Sequence, residues 1–179
     1  MKPKVISCTL DPKSIDQAIK DLNDWKVNWL EDRLDKLIDI LVNRGVYLAQ
    51  VKFNTAVYDG DRGVEVSFEE REPGKAYAVV AVGKSAVFIE FGSGVKYPDD
   101  HPLAQKMGMT RGEYGAGKGS NAIYGWTYYG EPGINGKFVT HKKNGDVYRT
   151  WGNPANQCMY RTMQELRDDF ERTARRVFQ

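Results

Sequence analysis

Residues 25–56 read WKVNWLEDRLDKLIDILVNRGVYLAQVKFNTA, the longest run in which apolar side chains recur at helical spacing. Trp25, Trp29, Leu30, Leu34, Leu37, Ile38, Leu41, Val42, Leu48 and Ala49 step by three and four, and Glu31, Asp32, Arg33, Asp35, Lys36 and Asp39 fill the gaps. The pattern predicts an amphipathic helix of roughly 48 Å, long enough to span a domain and carry a small sheet along one side. Gly45 interrupts it with a residue that costs about 1 kcal/mol relative to alanine in a helix, which predicts close packing or a slight kink. The charged face excludes a membrane span.

Upstream, residues 1–24 read as an N-terminal arm. Asp11-Pro12 or Ser14 can cap a short helix whose apolar stripe, Ile15, Ala18, Ile19 and Leu22, ends near Asn23. The stripe either docks on the long helix, the preferred reading, or packs on a neighbouring subunit.

Downstream, residues 58–63 carry a turn signal of two glycines and two aspartates, and residues 63–92 follow as a hairpin and an apolar segment. Val64, Val66 and Phe68 alternate with Glu65, Ser67 and Glu69 as in a half-buried strand. Residues 72–75 turn the chain, and 76–82 form a more continuously apolar partner. Glu69 and Glu70 precede an exposed turn, so they read as a solvated strand end and not as an acid/base pair. In the next apolar run Glu90 needs a donor, either a backbone N–H or an arginine from elsewhere. With Phe91 and Gly92 it reads as a structural pin; no histidine or second acid is near enough in sequence to suggest catalysis.

Thirteen of the 18 glycines fall between Gly92 and Gly152, which disfavours helix or strand throughout. Residues 93–136 are expected to be a mobile loop rich in glycine and aromatics, and 137–152 a hairpin turning at Lys143-Asn144-Gly145. Residues 156–178 repeat the helical pattern through Met159, Met163, Leu166, Phe170, Ala174 and Val177, and the arginines at their end suit the negative pole of a helix. The fold class is therefore α+β, with a long N-terminal helix and a C-terminal amphipathic helix on one face of a small antiparallel sheet.

The chain has 179 residues and 41% hydrophobic content, enough for one domain with a core, and its net charge of +2 names no partner. Cys8 and Cys158 lie far apart and no apolar signal segment precedes the first helix, which fits free thiols and a cytoplasmic origin. Residues 112–119 match the phosphate-cradling pattern through Lys118, but Gly119 stands where a magnesium-binding hydroxyl belongs, and neither a strand before nor a helix after is predicted. His101 and His141 have no second ligand at zinc spacing, and Asp99-Asp100-His101 reads as a turn before Pro102. No catalytic, cofactor or metal residues are assigned. The interleaved lysines, arginines and aromatics of the loop admit stacking on nucleic-acid bases as an alternative function. They equally fit an assembly interface, with Tyr97, His101, Arg111, Tyr114, Lys118, Tyr124, Trp126 and Tyr128 as candidates.

Four segments together resemble a known family: Phe88-Ile89-Glu90-Phe91-Gly92-Ser93-Gly94, then His101-Pro102-Leu103-Ala104, then residues 112–115 through 125–130, and finally Gly152-Asn153-Pro154-Ala155-Asn156 ahead of Met159-Tyr160-Arg161-Thr162. In this order, between a long first helix and a closing one, they resemble the tail-completion, or head-tail joining, proteins of long-tailed bacteriophages. Gln157 and Cys158 depart from the family's usual Pro-Phe, which removes a proline suited to the first helical turn. The resemblance implies an α+β subunit without catalysis or cofactor. Copies would form a ring, expected to be hexameric, at the virion neck between the head-tail adaptor or connector and the tail terminator or tail tube. Assembly would occur in the host cytoplasm, with DNA only passing through the lumen and no membrane involved. The loop 93–136 is the segment expected to order on assembly.

Overall fold

The computed structural model describes residues 5–60, 62–94, 101–109, 125–129 and 136–179, and of Trp126 and Tyr128 the backbone alone. The architecture is α+β. Helix α1 (Pro12–Trp25) begins at Asp11, whose side chain accepts from the Ser14 N–H, with a proline in the first turn. A π-helical turn (Lys26–Glu31) leads directly into α2 (Asp32–Asn54). The two helices expected from the sequence are thus one rod of roughly 60 Å. The preferred reading, an arm folded back on the long helix, does not hold: no residue of α1 is buried. The physical reason is local, since Asn23, Asp24, Trp25 and Lys26 include no glycine or proline to reverse the chain. The junction is marked instead by the π turn, where Trp25 and Trp29 stack at 5.4 Å and Trp29 meets Phe178 edge-on at 5.9 Å.

Strands β1 (Glu65–Glu72) and β2 (Ala76–Val82) form the expected antiparallel hairpin, in register from Glu65 opposite Val82 to Glu70 opposite Tyr77. The apolar segment after it is a short helix, α3 (Ala86–Phe91). Strand β3 (Ser93–Gly94) pairs with β7 (Gly152–Asn153). Strands β4 (Trp126–Tyr129), β5 (Lys137–Lys142) and β6 (Gly145–Thr150) form a third, three-stranded sheet in the order β4-β6-β5. The single small sheet of the sequence reading is therefore divided. Within 93–136, expected as one loop, the described residues hold β3, a turn over 101–108 and β4; residues 95–100, 110–124 and 130–135 lie outside the described residues. The β5–β6 turn is Lys143-Asn144, and Gly145, at φ 114°, opens β6. Helix α4 (Cys158–Phe178) closes the fold.

The core lies where α2 ends. Ala49, Phe53 and Ala56 pack with Val64 and Val66, with Ala86 and Ile89 of α3, and with Cys158. Phe53 and Ile89 are almost fully buried, worth about 1.5–3 kcal/mol each. Of the two outcomes expected at Gly45, close packing is found: a Cβ there would come within 2.9 Å of Val79 Cγ2 and 3.1 Å of Leu166 Cδ1, so α2, β2 and α4 meet at that residue. Ion pairs Arg44–Asp169 and Lys52–Glu165 border the contact between α2 and α4.

Candidate functional site

Residues of three of the four segments that carry the resemblance meet at the start of α4. That helix lacks a capping side chain of its own: Gln157 stands at its N-cap in the left-handed conformation, φ 55°, and makes no side-chain cap bond. A helix start leaves backbone N–H groups without intrahelical acceptors. Glu90, on α3, supplies the acceptor. Its Oε2 accepts from the Met159 N–H at 2.7 Å and its Oε1 from the Tyr160 N–H at 2.9 Å. A negative group at that end is further favoured by the helix dipole.

His101 completes the arrangement. Its Nε2 lies 3.0 Å from Glu90 Oε1, and its Nδ1 accepts from the Leu103 N–H at 3.0 Å. Because Nδ1 is an acceptor, the ring proton sits on Nε2 and is donated to Glu90, so the imidazole is neutral. The ring packs between Phe91, 4.3 Å away, and Tyr160, 5.4 Å away. Glu90 and His101 are both buried. The donors that the sequence reading left open for Glu90 are thus two backbone N–H groups and a histidine, with no arginine among them.

A second latch joins the same region to the end of α2. The Asn156 side chain accepts from the Val57 N–H at 2.8 Å and donates to the carbonyls of Val57, Ile89 and Pro154. The backbone N–H groups of Asn156 and Gln157 donate to the carbonyls of Ile89 and Glu90. Asn153 Oδ1 accepts from the Asp59 N–H, and Thr150 donates its hydroxyl to Asp59. Gly92, at φ 78°, lets this crossing occur: a Cβ there would come within 2.8 Å of the Ala155 nitrogen.

Beside the latch lies an open, mostly apolar groove of about 590 Å³. Its walls are β2, α3, the 101–107 turn and the first turns of α4, with Phe53 and Arg71 also lining it. Val87, Leu103, Met107 and Met163 line it while remaining 40–57% exposed. Burial and the charge of Glu90 push the Cys158 thiol up to about 12, so it is held protonated. Both ring nitrogens of His101 and both oxygens of Glu90 are engaged in structural hydrogen bonds, which leaves this cluster suited to fastening α3 to α4. Among the described residues no group of three or more His, Cys, Asp and Glu gathers as a metal site.

Of the candidate interface residues, Tyr97, Arg111, Tyr114, Lys118 and Tyr124 lie outside the described residues, as does the phosphate-loop-like stretch 112–119. Trp126 and Tyr128 stand on β4, opposite Thr150 and Tyr148 of β6. His101 is placed inside the subunit, against Glu90. The structural pin Glu90, Phe91 and Gly92 sits together at the α3–α4 junction. The sequence reading missed the parts played by Asp59, Thr150, Asn153 and Asn156. The available signal was the paired asparagines around Pro154, since an Asn side chain can satisfy both a backbone N–H and a carbonyl. No family model, no curated protein and no solved structure matches this chain.

Proposed function

We propose that the chain is a ring-forming structural subunit of a bacteriophage neck that completes the tail or joins it to the head, without catalysis. The observation that carries this reading is the meeting, at the Glu90 carboxylate, of three of the segments on which the resemblance rests: α3 with Gly92, the turn at His101, and the entry into α4. Residues far apart in sequence that share one buried hub belong to one structural unit, which supports taking these segments together. The hub fastens secondary structure and offers no free nucleophile or base, which suits a rigid building block. Its partners on this reading are further copies of itself, the head-tail adaptor or connector, and the tail terminator or tail tube, with DNA passing through the lumen.

The test is electron microscopy of a lysate from phage carrying an early stop codon in this gene. Filled heads separate from finished tails, or tails with abnormal ends, are expected. Normal infectious particles would overturn the reading.

A further inference from the structure

Two surfaces of this chain match each other but cannot meet within one molecule. The first is α1. Ile15, Ala18, Ile19 and Leu22 occupy positions i, i+3, i+4 and i+7, the anchor spacing with which an amphipathic helix enters an apolar groove. Ile15, Ile19 and Leu22 are 39%, 52% and 53% exposed, and nothing on the helix is buried. As the free end of the rod, α1 leaves this apolar face without a partner in its own subunit, and burying it would add stability.

The second surface is the groove beside the latch. Val87, Leu103, Met107 and Met163 keep its walls apolar and open, and the methionines give them an adaptable shape. The charged residues lining it, Arg71 and Glu90, are already engaged within the subunit, Arg71 by Glu69 and Glu90 by the start of α4, so what the groove offers an incoming helix is apolar surface.

Geometry decides who occupies the groove. Phe53, at the far end of α2, lines it, and the helical rod from α1 to α2 is continuous. At 1.5 Å per residue, Ile19 stands roughly 50 Å along that rod from Phe53. The rod is braced where Trp29 packs against Phe178, so α1 does not fold back. We propose that the α1 arm of one copy seats its Ile15-Ile19-Leu22 stripe in the groove of the next copy, between α3, the 101–107 turn and α4. Such a contact joins two different patches, so it propagates head to tail and closes into a ring when the rotation per subunit allows. This deepens the ring reading above and names the surfaces that would build it.

The experiment uses full-length chains in a Cys8→Ser background, which leaves only the buried Cys158 thiol. Chains carrying Ile19→Cys are mixed with chains carrying Val87→Cys and oxidised. The expected product is a disulfide dimer in the mixture and none in either variant alone. No dimer in the mixture, or dimers of Ile19→Cys alone, would overturn the proposal, the latter by showing arm-to-arm pairing. In parallel, Ile19→Asp/Leu22→Asp is expected to weaken self-association at least roughly a hundredfold by light scattering, with helix content unchanged because both side chains are already exposed. Assembly as tight as that of the wild type would also overturn it. A variant that assembles normally leaves the neck reading standing, whereas infectious particles from the stop-codon phage remove the neck reading whatever the cross-link shows.

Discussion

The Glu90 carboxylate accepts a 2.7 Å hydrogen bond from the Met159 N–H, a residue 69 positions further along the chain. Helix α4 is thus capped by α3, and the start of one helix depends on the placement of another. Glu90→Ala would leave the Met159 and Tyr160 N–H groups and the His101 Nε2–H without an acceptor. It should cost about 3 kcal/mol or more, and Glu90→Gln, which keeps one acceptor oxygen, about 1–2 kcal/mol. Urea unfolding measures both, and amide exchange in the first turn of α4 should rise in step. A Glu90→Ala protein as stable as the wild type would refute the cap.

His101 should be locked as the neutral tautomer with its proton on Nε2, because the Leu103 N–H points at Nδ1 from 3.0 Å. Long-range nitrogen–proton NMR correlations of the imidazole read this directly. A proton found on Nδ1 would contradict the Leu103 bond and the donation to Glu90.

Cys158 carries a pH signature. Its folded pKa, about 12, lies above the ordinary 9.0. The stabilisation is fully present below the unfolded value and is lost as pH rises, because the unfolded thiol ionises while the folded one keeps its proton. Between about pH 9 and 12 this group should remove roughly 1.4 kcal/mol per pH unit. The difference in alkaline stability between wild type and Cys158→Ala isolates it, and equal slopes would count against burial as the cause. At neutral pH a thiol reagent should label Cys8, which is exposed, and reach Cys158 only on unfolding.

Two glycines with similar φ should respond differently to alanine. Gly74, at φ 66°, has nothing within 4 Å of a Cβ, so only backbone strain of about 1 kcal/mol is expected. Gly92, at φ 78°, would also drive its Cβ to 2.8 Å from the Ala155 nitrogen and 3.0 Å from the Asn153 oxygen. Backbone atoms cannot swing aside as side chains do, so Gly92→Ala should cost at least about 2 kcal/mol more. Equal melting temperatures for the two variants would show that the latch is loose enough to absorb the added carbon.

Helices α1, α2 and α4 and the two hairpins were legible because each is written in local periodicity, whereas α3 was read only as an apolar segment. The three- and four-residue steps of α2 and α4, the alternation from Val64 to Phe68, and the Asn144-Gly145 signal need no knowledge of distant residues. Gly45 was legible as a point of close packing, though its partners Val79 and Leu166 were not. The strand at 126–129 was hidden because glycine enrichment around it outweighs four residues of β preference, and only pairing with β6 defines it.

By itself, then, the sequence determined which segments are amphipathic, where most turns fall and that Glu90 must find a donor. Only the tertiary structure decided that His101 serves Glu90 and that Asn153 and Asn156 fasten α4 to the end of α2. The physical reason is range. Periodicity and turn chemistry act over a few residues, whereas the partners of a buried polar group are chosen by whatever the packed core brings within about 3 Å.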